Sequence, residues 1–268
     1  MTSFRRIPLL LFAAAVAVAA PARAADPSAD EIIQRSLESF YYAGHSMRAG
    51  VSMKLINRQG NVREREMTLL RLNLGKSGGD QRYYIYFHGP ADVKRTSFLI
   101  WKYPAKEDDR WIYVPALNLV KRIAAADKRS SFVGSDFTYE DLSSRDLEDE
   151  TRVFVRKEDL GGRTTYVVES KPKTPGDYSR RLSWIDQERW LPLKEEYFDA
   201  RNEPLRTYTA DKVEKIGEQW SVTVRTMKNL QSGHRTEVVF RETEYGVDIK
   251  PDIFTERYLR DAPAKWVR

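Results

Sequence analysis

The sequence predicts a mainly β protein with a few short helices, built on a single antiparallel sheet of ten to eleven strands that curls to cover its dry face. Three observations lead there. Apolar residues recur at every second position along most of the chain, which turns one face of each strand to a core and the other to water. Clusters of Gly, Asn, Asp and Ser punctuate the alternating runs as turns. No helical run separates one strand from the next, so the crossovers that parallel strands require are missing. With 268 residues and no Pro/Gly/Ser-rich linker, the chain reads as a leader over residues 1–24 followed by a single domain over residues 25–268.

The leader is legible from its three zones. Arg5 and Arg6 precede an unbroken apolar run from Ile7 to Ala20, and Ala22-Arg23-Ala24 offers small residues at the two positions a signal peptidase reads. The run is shorter than the ~20 residues of a membrane-spanning helix. A secretory signal is therefore predicted, cut between Ala24 and Ala25, with export to the periplasm. Its loss removes three arginines and no acid, taking the formal net charge from +6 to +3. So mild a positive charge on an exported chain gives no reason to expect nucleic acid as a partner.

The first helix opens at Ser28-Ala29-Asp30-Glu31, a capping box in which Ser28 accepts from a first-turn N–H. Ile33, Leu37 and Tyr41 follow at four-residue spacing, Ile32 and Phe40 widen the stripe, and Gly44 ends it. From Val51 the period is two. Val51, Met53 and Leu55 share a face, then Leu70, Leu72 and Leu74; Tyr83 to Phe87 is apolar on both faces, and Phe98 to Trp101 and Trp111 to Val114 continue the series. A second set comprises Val153/Val155, Tyr166/Val168, Leu182/Trp184, Val222/Val224 and Val238/Phe240. Between the two sets, residues 124–150 interrupt the alternation, with a helical turn expected over 135–142 carrying Phe137 and Leu142. A last short helix starts near Asp252 and carries Phe254 and Tyr258.

The chemistry-bearing residues are sparse. The chain has no cysteine, which excludes thiolate metal sites, thiol catalysis, disulfides and N-terminal lipidation. His45, His88 and His234 stand alone and read as polar groups at turns and strand ends. No nucleophile elbow, His-Glu-x-x-His or phosphate loop occurs. Gly134-Ser135-Asp136 lacks the flanking glycines of an elbow, so Ser135 reads as a cap. The acidic runs Glu107-Asp108-Asp109 and Asp146-Leu147-Glu148-Asp149-Glu150 lack the ligand spacing of an EF-hand. The expectation is a protein that is not an enzyme and needs no cofactor or metal. Aromatic residues, 12% of the chain, alternate with charges on the strands and belong to a core. Three short helices leave part of that apolar concavity open to a ligand.

One long stretch is recognisable. Asp109-Arg110-Trp111-Ile112-Tyr113-Val114-Pro115-Ala116-Leu117, then Val120-Lys121-Arg122-Ile123, then Ser131-Phe132-Val133-Gly134-Ser135-Asp136-Phe137-Thr138-Tyr139-Glu140-Asp141-Leu142 resembles the signature of the LolA-like outer-membrane lipoprotein-sorting family. Lys94-Arg95-Thr96-Ser97-Phe98-Leu99 matches the hairpin before it, and the resemblance runs from Met47 to Tyr258. It implies an incomplete, half-open β-barrel of about eleven strands, covered by short helices over an apolar cavity, as in LolA and LolB. The implied activity is non-catalytic, chaperone-like carriage of a lipid or of a lipoprotein's acyl chains across the periplasm, by a monomer in transient contact with membranes. Relatives of this branch accompany inner-membrane exporters of the resistance–nodulation–division (RND) type, so such a transporter is the implied partner. The alternative is a structural or adaptor subunit of that exporter which binds no lipid. The expected cavity lining, taken from the apolar phases of successive strands, is Leu72, Phe98, Ile100, Trp111, Tyr113, Leu182, Trp184 and Val222. Residues 130–142 are expected to cover it with Phe132 and Phe137. Over 98–114 both phases are apolar, and a one-residue shift would reverse every side chain.

Overall fold

The alternation becomes thirteen strands of one antiparallel sheet. A computed structural model describes residues 26–75, 78–104, 106–144 and 147–267; the leader and the cleavage point at Ala24 and Ala25 lie outside them. The first half holds α1 (Ala29–Tyr41), β1 (Ser46–Ile56), β2 (Val62–Leu74), β3 (Asp80–Gly89), β4 (Ser97–Lys102), β5 (Asp109–Val114), β6 (Leu119–Ile123) and α2 (Glu140–Ser143). The second holds β7 (Glu150–Asp159), β8 (Thr164–Pro172), β9 (Arg180–Asp186), β10 (Pro192–Phe198), β11 (Pro204–Ile216), β12 (Gln219–Asn229), β13 (Arg235–Tyr245) and α3 (Glu256–Arg260). The strand order is β6-β5-β4-β3-β2-β1-β13-β12-β11-β10-β9-β8-β7. Two meanders are thus joined at β1 and β13, where Met53 lies opposite Val238, and β6 and β7 form the two edges without pairing to each other.

The strands beyond the ten marked by alternation are β6, β10 and β11. Each carries adjacent charges, Lys121-Arg122, Lys194-Glu195-Glu196 and Asp211-Lys212, so no apolar phase stands out. The helix ends agree with their residues. Ser28 Oγ accepts from the Glu31 N–H at 3.2 Å, and Ile32 and Ile33 turn inward. After β5, Pro115 opens a single 3-10 turn that stops the strand.

The sheet is strongly curled. Phe98 on β4 and Tyr197 on β10 share one core, although seven steps in the strand order separate β4 from β10, roughly 34 Å in a flat sheet at ~4.8 Å per strand. What fills the concavity follows from topology. The connection from one edge strand to the other crosses the concave face at residues 124–144, pressing Phe132 and Phe137 into that core. Gly134 holds φ +79° in the tight turn between them, a conformation open to glycine at little cost. Helix α1 lies beside this crossover, with Ile32 and Ile33 against Tyr166, Val168 and Ile185.

The outer face of the first meander is dry too. Residues 247–267 form a strap over β2 to β5, packing Ile253, Phe254 and Leu259 on Leu70, Leu72, Tyr84, Leu99 and Tyr113. Side-chain donors of the sheet meet its main chain: Tyr84 Oη donates to the Tyr258 carbonyl at 2.7 Å, Ser97 Oγ to Leu259 at 2.7 Å and Trp101 Nε1 to Phe254 at 2.9 Å. Burial on both sides explains why 83–87 and 98–101 are apolar in both phases. Replacing the buried Leu259 by Ala should therefore cost about 2–5 kcal/mol, read as a lowered denaturant midpoint with an unchanged slope.

Candidate functional site

Among the described residues, two adjoining cavities lie on the concave face beside the last turn of α1, one on each side of it. The first, about 60 Å³, lies between α1, the crossover and strands β7 to β12; Ile33, Leu37, Phe40, Phe137, Ile185 and Met227 give it an apolar side. The second, about 70 Å³, opens toward β1, β2, β12 and β13 and is lined by Met47, Leu69, Leu142, Val222 and Phe240 among others. Phe40, Tyr41 and Arg225 belong to both walls. Either space is well below the ~300 Å³ and more of ordinary ligand pockets, because Phe40 stands where they would merge. Its ring packs edge-on against Tyr208 at 6.5 Å.

The opposite side of the first cavity is charged. Glu150, 4% exposed, accepts from Tyr178 Oη at 2.8 Å and pairs with Arg181 at 2.9 Å and Arg152 at 3.6 Å. Arg152 reaches Asp30 of α1 at 3.1 Å, and Arg181 reaches Glu195 at 3.4 Å. Glu195 also accepts from Tyr197 Oη at 2.6 Å and Ser183 Oγ at 3.0 Å. Arg206 bridges Asp141 of α2, at 3.6 Å, and Asp177, at 3.5 Å. Around the second cavity, Arg71 donates to the main-chain carbonyls of Tyr41, Ala43 and Gly44 just after α1, and burial pulls its pKa below the ordinary arginine value. These polar groups orient α1 and the crossover on the sheet. Among the described residues no three His, Asp or Glu side chains are grouped so as to hold a metal ion. His234 instead pairs with Asp136 at 2.6 Å, tying the crossover to the start of β13, and Ser135 Oγ bonds to the main chain of Phe137.

The structure divides the ten residues expected to line the cavity between two faces. Phe98, Ile100, Phe132, Phe137 and Val222 belong to the concave side, and of these only Phe137 and Val222 reach a cavity wall. Phe98 and Phe132 are core, their rings 4.9 Å apart. Leu72, Trp111 and Tyr113 are on the outer face under the C-terminal strap, the reversal that two apolar phases leave open. Leu182 and Trp184 are also outside, because β9 turns Arg181 and Ile185 to the cavity. Trp184 lies opposite Val167 and Lys194, with the Lys194 Nζ 4.4 Å from its ring. Periodicity does not mark Arg71, Glu150, Arg152, Arg181, Glu195 and Arg225, because it assigns charges to wet faces, and Tyr208 reads from it only as core. Their signal is present: opposite charges in one phase, Arg181 on β9 and Glu195 on the adjacent β10, with Glu150 on β7 two strands away.

Comparisons with other proteins decide the family. A family model described as an uncharacterized protein matches residues 79–261, more than half of the chain. A domain from Vibrio parahaemolyticus described as an outer membrane lipoprotein-sorting protein superposes with a TM-score of 0.78 at 29% identity, covering 87% of this chain and 98% of its own. The chain belongs to the LolA-like family. A DUF1329 family protein from Desulfovibrio piger gives a TM-score of 0.79 at 28% identity, over 88% of the LolA-like chain and all of its own. A LolA superfamily protein from Nitrosomonas europaea shares the fold, with a TM-score of 0.66 at 18% identity over 87% of this chain and 100% of its own. No curated protein matches.

Two substitutions separate the faces of this LolA-like sheet. Glu150→Ala removes the buried carboxylate that Arg152 and Arg181 share, leaving them Asp30 and Glu195, and should cost about 1–3 kcal/mol, measured by chemical denaturation. Trp184→Glu forces a charge into a site 3% exposed on the outer face, so it should lower the melting temperature while leaving the concave cavities intact in the protein that remains folded, read by thermal melting.

Proposed function

We propose that this LolA-like protein is a non-catalytic carrier, which takes up a hydrocarbon chain between α1 and the concave face and shields it from water between two membranes. The observation that carries the reading is the position of α1. The apolar residues Ile33, Leu37 and Phe40 share a groove with Phe137, Ile185 and Met227, while its far side is charged, and they occupy its apolar part as the chain of a ligand would. Withdrawal of the helix would merge the two cavities and expose one continuous surface. Each methylene moved there from water contributes about 0.8 kcal/mol, so one long acyl chain reaches useful affinity with few polar contacts. Such a site needs no catalytic motif.

The periplasm is the compartment this reading requires, and the leader over residues 1–24 supports it. The similarity to a domain described as lipoprotein-sorting supports an acylated cargo, either a lipoprotein or a free lipid. We assign the protein an inner-membrane RND-type transporter as partner, on the resemblance of its signature stretch, with the carrier acting as a monomer of one domain. The adaptor reading needs a broad exposed apolar patch. Among the described residues the large apolar side chains most exposed are Val62, Leu117, Leu119, Val153, Val155 and Leu230, spread over the start of β2, the two sheet edges and the turn after β12.

If α1 must leave for cargo to enter, weakening its seat raises the population of the open form and so the apparent affinity, by tenfold for every ~1.4 kcal/mol until the open form dominates. Ile33→Ala should thus bind a fluorescent fatty acid more tightly than the wild type, by about tenfold or more, as read by titration. Equal or weaker binding, in a folded variant, would show that α1 is part of a permanent core. Native mass spectrometry of protein taken from its own cells should show a co-purified lipid mass.

A further inference from the structure

The carrier reading leaves open what kind of amphiphile is carried, and one side chain bears on it. Arg225 reaches both cavities from β12. The other arginines nearby are occupied: Arg152, Arg181 and Arg206 have carboxylates, and Arg71 has three main-chain carbonyls. The Arg225 guanidinium instead lies among the rings of Phe40, Phe137 and Phe240, at 5.5, 5.3 and 4.8 Å from their centroids. Among the described residues it has neither a carboxylate nor a hydrogen-bond acceptor, and its Nε is buried and unbonded. Contact with aromatic faces balances part of its charge and leaves the in-plane N–H donors unused.

A second observation is independent of the first. Tyr208, 4% exposed, lines the first cavity beside Arg225, and its hydroxyl is also buried without a partner. Buried donors are rarely left unmade in native proteins. Burial pushes the Tyr208 pKa up, so the hydroxyl keeps its proton and remains a donor. Around the second cavity, Arg71 and Arg225 are the charged lining residues and no carboxylate joins them, so its potential is positive. The carboxylates that line the first cavity, Asp141, Glu150 and Glu195, are each paired with an arginine, so the two unused donors and the unbalanced charge of Arg225 describe the complement of an anionic headgroup, with the apolar side of the groove left to a hydrocarbon tail.

We propose that Arg225 and Tyr208 form a headgroup site, in which the guanidinium takes the oxyanion of an anionic amphiphile, a carboxylate or a phosphate, while the tail takes the place of Phe40. The inference rests on the carrier reading and narrows it to cargo with an acidic head. It also assigns Arg225 a role in exchange. The cation trades the ring of Phe40 for the anion as α1 withdraws, so that entry of the tail and capture of the head are one event.

The test uses the full exported chain with three probes of equal tail length: dodecanoate, dodecyl phosphate and dodecanol. Each is titrated below its aggregation concentration, and the fold is checked by thermal melting. The wild type should bind at least one of the two anions about tenfold or more tightly than the alcohol, as expected for charge-assisted bonds; the anion preferred tells a carboxylate source from a phosphate one. Arg225→Met should bring all three probes to the level of the alcohol, and Tyr208→Phe should weaken the anions alone by severalfold. An alcohol that binds the wild type as tightly as both anions overturns the headgroup site and leaves the carrier standing. So does an undiminished anion preference in Arg225→Met. Failure of all three probes to bind removes the carrier reading and this inference with it. Should Arg225→Met not fold, Arg225→Lys, which keeps the charge and loses the planar fork, is measured with Tyr208→Phe, and an unchanged preference in both overturns the proposal.

Discussion

The connection between β6 and β7 is the constraint on which the rest of this molecule depends. It links strands at opposite edges of a thirteen-stranded sheet, and an unclosed sheet of that size exposes more apolar surface than its strands can hide. By crossing the concave face, residues 124–144 turn a connection into a core, with the Phe132 ring packed at an angle against Phe87, Phe98 and Tyr139. The crossover fills one end of the concavity and leaves the other to α1. What is open to a ligand is therefore decided by how far this segment reaches, and the cavities begin where Phe137 ends.

Much of the architecture was legible because alternation reports burial directly. The capped helix at Ser28, the interruption after Ile123 and the helix carrying Tyr258 were all visible as changes of period. The faces were less so. At Phe98 to Trp101 both phases are apolar because the sheet is covered twice, and no local pattern says which cover is which. At Arg181 to Ile185 the rule that charges face water fails, since Arg181 is neutralised by Glu195 from the neighbouring β10 and by Glu150 from β7, on the far side of β8. That information is carried by pairing between strands, whereas periodicity is a property of one strand at a time. Arg225 is hidden differently, as an ordinary-looking charge between Val224 and Thr226 whose neighbours are aromatic rings from α1, the crossover and β13.

A charged ladder inside a groove read as lipid-binding needs a reason, since buried ion pairs rarely add net stability. Here their geometry discriminates. Glu150, Arg181 and Glu195 can meet only if β7, β9 and β10 all present the same phase inward, so the ladder penalises a one-residue slip in any of them. Asp30 and Asp141 extend the same logic to α1 and α2, through Arg152 and Arg206. The apolar residues of the groove stay free of that task.

The seam between the two meanders has a consequence for how the chain reaches this state. Within each meander every strand pairs with its neighbour in sequence, so hairpins can zip as soon as they are made. β1 pairs on its far side with β13 alone, and that edge waits until nearly the whole chain is available. Contacts so distant in sequence are the slow ones, and an unpaired apolar strand edge is a template for mispairing in the meantime. The first half of the molecule is thus exposed to aggregation for as long as synthesis and transit of the second half take, and a mutation that delays β13 would show first as lost yield.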